Sequence, residues 1–185
     1  MMFVAAVKEE LGDLRGAPVG IGPVRAALGA ARLLAGARPS AVVLVGTAGA
    51  YPGGPPIGSV VVARHVGLSE GIGELGLGYV PLAPGPITTD DTLRRRAKLP
   101  EFDVLTVDAI TTDRALTTAR AARWQVEHME SWSVAAAAEA AGVPFVALLG
   151  ITNEVGPDAH AQWLANRGAV ESAVRDAARA LLGAS

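Results

Sequence analysis

The sequence has no cysteine among its 185 residues, which excludes disulfide bridges and metal sites built on thiolates. Aromatic residues make up only 4% and charged residues only 18% of the chain, and the formal net charge is −2. A nucleic-acid-binding protein needs a basic surface. The basic run Arg94 to Arg96 follows two aspartates in a short predicted helix, whose solvated face explains it. We therefore expect no nucleic-acid partner.

The sequence also lacks an apolar run long enough to span a membrane. Its first residues, Met1 to Val7, are apolar, but they have no basic flank and lead into Lys8-Glu9-Glu10. They predict a first strand rather than a signal peptide. The three histidines have no metal-ligand spacing. We therefore expect no metal or other cofactor, no catalytic histidine, and a cytoplasmic protein without membrane contact.

Hydrophobic residues make up 50% of the chain, and its length suits one sizeable core. We predict a single domain over residues 1–185. Short β-branched runs alternate with alanine-rich stretches of helical spacing, a pattern typical of a layered α/β fold. The predicted strands cover 2–7, 42–45, 59–63, 104–107 and 144–151, the predicted helices cover 23–36, 131–141 and 160–182, and 67–86 is predicted as a loop rich in Gly and Pro.

Polar residues follow several predicted strands, where ligands gather in α/β sheets. A tight turn and a close approach of backbone to a ligand both explain the glycines of Gly46 to Gly49, whose spacing fits neither a Walker loop nor a dinucleotide loop. Glu130 begins an alanine-rich helix, where favourable charge at a helix N-terminus is the simplest explanation. Asn153, which follows the last predicted strand, is explained equally well as a turn residue or as a ligand-binding residue.

Five segments, taken in order, resemble the purine nucleoside phosphorylase and nucleosidase superfamily over most of the chain. They are Ala6–Leu11, Gly20–Ala27, Val45–Ala50 with Ile57–Val62, Val126–Ser131, and Val143–Gly156. No single segment is decisive, whereas five in this order are specific. The resemblance implies a three-layer αβα sandwich around a central twisted mixed sheet, a small purine nucleoside as ligand, and a homodimer.

The resemblance also implies roles for individual residues. Glu130 would bind the ribose hydroxyls and stabilise an oxocarbenium-like sugar, Glu10 would orient and deprotonate water, and Asn153 would bind the purine. Ile110 stands where the superfamily has an aromatic residue that stacks on the base. The other residues expected to contact substrate are Thr47, Ala48, Gly49, Thr111, Glu127, His128 and Met129.

Within the superfamily, the acidic pair Glu9-Glu10 resembles nucleosidases, because a carboxylate repels phosphate and orients water instead. The segments Gly150–Pro157, Gly67–Gly71 and Tyr79–Leu82 resemble futalosine hydrolases. Asn153 replaces the Asp of adenine-type nucleosidases, and its amide suits a 6-oxopurine. The resemblance thus implies an N-glycosyl hydrolase that converts futalosine to hypoxanthine and dehypoxanthine futalosine, a step of menaquinone biosynthesis.

Other functions stay open at this point. They are a methylthioadenosine/adenosylhomocysteine nucleosidase, a phosphate-dependent purine nucleoside phosphorylase, and a non-catalytic nucleoside-binding protein; a dinucleotide-dependent oxidoreductase is disfavoured by the glycine spacing. Two departures from the superfamily pattern are visible. The chain is short between Glu10 and Gly20, and one extra residue separates Glu127 from Glu130.

Overall fold

The computed structural model of the protein describes residues 1–183, and the last two residues of the predicted domain lie outside them. The strands in this range are β1 (Met2–Ala5), β2 (Gly16–Pro18), β3 (Val42–Ala50), β4 (Val60–Leu68), β5 (Ile87–Thr88), β6 (Glu101–Thr106), β7 (Val126–His128) and β8 (Phe145–Glu154). The helices are α1 (Lys8–Leu11), α2 (Pro23–Gly36), α3 (Asp91–Ala97), α4 (Arg114–Ala121), α5 (Ser131–Ala140) and α6 (Ala159–Gly183), with a 3-10 turn at Gly71–Gly73.

The strands form a mixed sheet, and part of it closes into a ring. β3 pairs in parallel with β8, β8 antiparallel with β4, β4 in parallel with β6, and β6 in parallel with β7, which returns antiparallel to β3. β1 and β2 extend the sheet in parallel from β3, and β5 pairs antiparallel with β4. The predicted α/β class and mixed sheet are confirmed. The predicted three-layer αβα sandwich is not confirmed, because ring closure turns the sheet back on itself.

Two apolar clusters cover the sheet from opposite sides. The first joins the sheet to α2 and α5, which meet through small residues such as Ala30 and Ala138. The second joins it to α3 and α6 through Leu93, Val174 and Leu181. All five of these side chains are buried, and each buried aliphatic side chain of the larger kind stabilises the fold by about 1.5–3 kcal/mol. The helices are thereby fixed relative to the strand ends that carry the polar residues.

The helix boundaries follow ordinary local chemistry. α2 covers its predicted range of 23–36, with Pro23 at its first position. α5 and α6 also lie within one residue of their predictions. The Asp90 and Asp113 side chains accept the backbone N–H of Leu93 (2.8 Å) and Leu116 (2.7 Å), which caps α3 and α4. Helix α4 and the short strands β2, β5 and β7 were not predicted from the sequence.

Several strand predictions were wrong at their ends. The first strand ends at Ala5, and α1 follows it. β3 and β8 continue past their predicted ends, so Gly46 to Gly49 and Asn153 lie in paired strands rather than in loops. The reason is that the backbone hydrogen bonds between β3 and β8 continue through the positions that carry these polar residues. The predicted loop 67–86 is largely irregular, although β4 enters it as far as Leu68.

The basic run on α3 is only partly a solvated face. Arg94 is buried: its Nε donates to Glu101 Oε2 (3.2 Å) and its Nη2 to Asp91 Oδ1 (3.1 Å). Arg95 lies on the exposed side of the helix and pairs with Asp91 there. Within residues 1–183, no helix has both the length and the apolar character needed to cross a bilayer.

Candidate active site

A cavity of about 310 Å³ opens beside the ends of β1, β3, β7 and β8, a volume at the lower end of the usual range for small-molecule sites. Every residue predicted for the site lines it except Thr111. The structure thus brings together segments that are widely separated in the sequence. The lining residues that were predicted are Glu10, Thr47, Ala48, Gly49, Ile110, Glu127, His128, Met129, Glu130 and Asn153. Those not predicted are Ala6, Val7, Ile21, Thr152, Ala159, His160 and Trp163.

Glu130 lies at the N-terminal boundary of α5 and is 4% exposed. Its Oε1 accepts the backbone N–H of Gly22 at 2.8 Å. Gly22 has φ +83°, a conformation that L side chains rarely adopt, and this turn places the amide opposite the carboxylate. Burial raises the pKa of Glu130 to about 7. The side chain is therefore poised between the protonated and ionised forms near neutral pH.

Glu10 reaches the same cavity from α1. Its Oε1 accepts the N–H of Thr47 in β3 at 3.2 Å, and its Oε2 accepts the N–H of Val7 at 3.4 Å. Burial raises the pKa of Glu10, the nearby Glu130 raises it further, and His128 and the two amides oppose the shift. A carboxylate with a raised pKa is the type of group that takes a proton from water in general base catalysis.

His128, at the end of β7, is close to both carboxylates. Its Nε2 is 3.3 Å from Glu130 Oε2. A Cβ built on Gly46 would lie 3.1 Å from His128 Nε2 and 3.3 Å from Glu10 Oε1, so both atoms face the same point above β3. Burial lowers the pKa of His128 to about 4, so the imidazole is neutral at physiological pH. The sequence analysis expected a substrate contact here and did not anticipate the contact with Glu130.

Asn153 is brought to the cavity by an irregularity between β3 and β8. Ala48 pairs with Ile151 but Gly49 pairs with Asn153, so Thr152 is an extra residue in β8. The Thr152 hydroxyl donates to Asn153 Oδ1 at 2.9 Å, and Asn153 Nδ2 donates to the carbonyl of Glu154 at 3.1 Å. One amide hydrogen and one oxygen lone pair remain for a ligand.

Gly49 is needed for this arrangement. A Cβ on Gly49 would lie 2.8 Å from Asn153 Nδ2 and 3.0 Å from Val155 Cγ2. The glycine in the Gly-Thr-Ala-Gly segment therefore allows the close approach of a neighbouring side chain in the sheet. The approaching group is the Asn153 side chain, so this contact is neither the tight turn nor the approach to a ligand given above as explanations for these glycines.

Glu127 lines the cavity, but its carboxylate is already bound by the protein. Its oxygens accept the Tyr51 hydroxyl at 2.6 Å and the Thr111 backbone N–H at 2.9 Å, together with the Thr111 hydroxyl. Arg120 Nη1 lies 3.6 Å from Glu127 Oε2 and also donates to the Thr111 hydroxyl. Glu127 and Thr111 thus form a buried polar network behind the cavity wall, and direct contact of either with substrate stays a prediction.

Helix α6 contributes a wall of the cavity that the sequence analysis missed. Trp163 lies there, and its Nε1–H donates to Thr47 Oγ1 at 3.2 Å. His160 stacks on Trp163 with ring centroids 5.9 Å apart, and the Arg167 guanidinium carbon lies 4.7 Å from the ring of Trp163. The signal available in the sequence was the rarity of aromatic residues, which makes a tryptophan shortly after the last strand informative. Ile110, which stands where the superfamily has a base-stacking aromatic residue, is 55% exposed.

The charge of this cavity limits its chemistry. Among its lining residues in the described part of the chain, the carboxylates belong to Glu10, Glu127 and Glu130, and none is a lysine or arginine. A site for a phosphate ion needs cationic or amide donors. The carboxylates instead favour a reaction in which positive charge develops on the part of the ligand beside them.

Comparison with known families agrees with the resemblance seen in the sequence. The chain belongs to the phosphorylase superfamily, whose signature it matches over residues 16–184. It is 35% identical to the futalosine hydrolase of Thermus thermophilus over 164 residues, which cover 78% of this chain and 71% of that protein. It is 32% identical to the futalosine hydrolase of Streptomyces coelicolor, covering 78% and 68%.

The fold agrees with solved structures as well. The futalosine hydrolase of Helicobacter pylori superimposes with a TM-score of 0.85 at 16% identity, covering 98% of this chain and 96% of that one. The predicted relationship to purine nucleosidases, with futalosine hydrolases among the similar proteins, is confirmed.

Proposed function

We propose that this protein is a purine nucleosidase that hydrolyses the N-glycosidic bond of a 6-oxopurine riboside, with futalosine as the substrate. The observation that carries the proposal is the pair of carboxylates, half-buried Glu10 and buried Glu130, in one cavity with the amide of Asn153. The named relatives at 35% and 32% identity support the choice of substrate. The products would be hypoxanthine and dehypoxanthine futalosine.

In the proposed reaction, Glu130 binds the ribose hydroxyls. Gly22 occupies one lone pair of Oε1 and His128 lies against Oε2, so each oxygen keeps a lone pair for a ribose hydroxyl. As the bond between C1′ and N9 breaks, positive charge develops on the sugar ring, and the ionised Glu130 stabilises it. Met129, half-buried beside it, packs against the sugar.

Water completes the reaction in the same cavity. Glu10 accepts a proton from the water molecule while the water oxygen bonds to C1′. The purine leaves with the electron pair of the broken bond, and the free amide hydrogen of Asn153 stabilises this charge at N7 or O6. Since an amide does not act as an acid, the leaving base acquires its proton from solvent.

Phosphorolysis is the main competing reaction, and the cavity disfavours it. The lining residues given above bring three carboxylates and no lysine or arginine within the described chain. A phosphate dianion would approach Glu10 against like charge. The carboxylates do not disfavour hydrolysis of methylthioadenosine. Its 6-amino group differs from the 6-oxo group of a 6-oxopurine in the hydrogen bonds that it offers to Asn153.

One experiment separates these reactions. The protein is incubated with futalosine, inosine or methylthioadenosine, with and without phosphate, and released base is quantified by chromatography. Hypoxanthine released from futalosine without phosphate is the expected result. Release only with phosphate would establish a phosphorylase, release of adenine alone would establish the methylthioadenosine activity, and binding without release would establish a nucleoside-binding protein.

We also propose that residues 1–185 act as one domain and associate as a homodimer. The support is an exposed apolar stretch before β5, in which Leu77 is 74%, Tyr79 84% and Leu82 88% exposed. Such contiguous apolar exposure is typical of a protein interface. The ligand that such a dimer would bind is the same small purine nucleoside.

A further inference from the structure

His128 lies between Glu127 and Glu130 in the sequence, next to Met129. Its ring is buried, and the structure gives each ring nitrogen a partner. The Glu130 backbone N–H donates to Nδ1 at 3.2 Å, and the Ser131 hydroxyl lies 2.9 Å from the same nitrogen. A backbone N–H is only ever a donor, so Nδ1 must be the acceptor.

This contact determines where the imidazole proton lies. In a neutral imidazole one nitrogen accepts and the other carries the proton, so His128 is the Nε2–H tautomer. Nε2 lies 3.3 Å from Glu130 Oε2, and a Cβ built on Gly46 would lie near both Nε2 and Glu10 Oε1. Protonating both nitrogens would leave the Glu130 backbone N–H facing another N–H, which agrees with the lowered pKa of His128.

We propose that His128 is a positioning residue of this site: its Nε2–H, with Nε2 3.3 Å from Oε2, holds the Glu130 carboxylate in place. The inference rests on the proposed function for its consequence, because the oriented groups are those that bind ribose and activate water. In the proposed role, His128 itself touches neither the sugar nor the water. It acts through Glu130, whose Oε1 is held independently by the Gly22 amide.

The electrostatic surroundings of His128 are simple. Glu10 faces it from α1 and Glu130 from the start of α5, while His160 on α6 lines the same cavity. The neighbouring Glu127 directs its carboxylate to Tyr51, Thr111 and Arg120 instead. Without the N–H of His128, the repulsion between the negative charges of Glu10 and Glu130 would be less well offset. The carboxylate form of Glu130 would then be less stable and its pKa higher.

Two substitutions separate the two faces of the ring. In H128Q the side-chain amide reaches the position of Nε2 and preserves the donor toward Glu130. In H128N the amide group lies near the position of Nδ1, so it preserves the partner of the Glu130 backbone N–H and loses the donor. We expect kcat/KM for futalosine to fall about 100-fold in H128N and by less than about tenfold in H128Q. The midpoint of the acidic limb of kcat/KM should rise by about one pH unit in H128N only.

Nitrogen NMR of the substrate-free wild-type protein tests the hydrogen bonds without relying on activity. The expected spectrum at neutral pH shows His128 with a protonated Nε2 and an unprotonated Nδ1. An Nδ1–H tautomer or an imidazolium would overturn the proposal. So would equal losses of activity in H128N and H128Q with an unchanged pH midpoint, since that pattern indicates packing alone. A wild-type protein inactive on every riboside but showing the Nε2–H tautomer would contradict the proposed function and leave the position of His128 supported.

Discussion

At Glu130, two requirements oppose each other. The side chain must be ionised to stabilise a cationic sugar, yet it is almost completely buried, which favours the neutral acid. The Gly22 amide and the helix N-terminus at α5 both favour the carboxylate. Burial is the larger contribution, so the pKa rises from 4.5 to about 7, and the opposing hydrogen bond limits the rise. Glu130 is therefore the residue at which substitution should separate activity from stability.

We expect E130Q to lower kcat by about 1,000-fold or more, because the amide keeps the shape of the side chain and removes the charge that stabilises the transition state. Its fold should be unchanged by circular dichroism. E139Q, at the exposed far end of α5, is the matched control and should retain full activity. An E130Q protein as active as E139Q would contradict the sugar-binding role.

We expect N153D to shift substrate preference toward 6-aminopurine ribosides. A protonated Asp donates to N7 of the base, whereas Asn153 offers one amide hydrogen and one carbonyl lone pair. The measurement is the ratio of kcat/KM for methylthioadenosine to that for futalosine, which should rise by about tenfold or more. An unchanged ratio would show that Asn153 does not contact the base.

Residue identity was easier to predict from the sequence than residue contacts. Glu10, Glu130 and Asn153 were found because the order of five motifs outweighs the simple explanation of each alone. The contacts of Glu127 were not predictable, since Tyr51 is far from it in sequence and Arg120, although near in sequence, is brought to it only by the packing of α4. Trp163 was missed because helical spacing in α6 explains an aromatic residue without any ligand.

At the scale of elements, the pairing of β3 with β8 positions most of the site. The extra residue Thr152 shifts the register, and Asn153 then occupies the space above Gly49. The helices α2, α5 and α6 were predictable because proline, glycine and alanine spacing mark their ends. The strand ends were not, because the polar residues that suggested a loop are bonded within the ladder.

We expect G49A to weaken substrate binding, since its Cβ would lie 2.8 Å from Asn153 Nδ2 and the amide would have to move. KM for futalosine should rise about tenfold or more and the free energy of unfolding should fall by about 1–3 kcal/mol. G168A in α6, where a Cβ meets nothing within 4 Å, should instead raise stability by about 0.5–1 kcal/mol. Urea unfolding and steady-state kinetics check both variants, and a G49A protein with unchanged KM would contradict the role of this contact.

At the scale of the whole molecule, the buried titratable groups make stability depend on pH. The folded pKa of Glu130 is raised from 4.5 to about 7, so its stabilising contribution is complete below pH 4.5 and is lost as pH rises through 7. The folded pKa of His128 is lowered from 6.5 to about 4, so its contribution is present above pH 6.5 and is lost as pH falls toward 4. Glu10 acts in the same direction as Glu130.

We therefore expect the free energy of unfolding of E130Q, relative to wild type, to rise between pH 5 and pH 8, by about 3 kcal/mol. At pH 5 the wild-type Glu130 is protonated when folded and resembles the neutral amide. At pH 8 the wild-type carboxylate is ionised and buried, which destabilises only the wild type. Urea unfolding at both pH values measures this difference, and parallel pH profiles for the two proteins would contradict the raised pKa.

We expect the protein to be dimeric in solution through the exposed stretch around Leu77 and Leu82. Replacing either leucine with glutamate should yield a monomer by light scattering coupled to size-exclusion chromatography. L164E, at a leucine that is 55% exposed on α6, is the control and should remain a dimer. A monomeric wild-type protein would contradict this arrangement.

Ring closure also bears on aggregation. The outer strand of a sheet offers unpaired amides and carbonyls to any strand that meets it. In the described residues, the path through the sheet ends at β2, which contains Pro18, and at β5, which has only two residues. Proline donates no ladder hydrogen bond, and a two-residue strand is a short template. The folded protein is thus protected against edge-to-edge polymerisation, and its association with other copies must use side chains rather than shared strands.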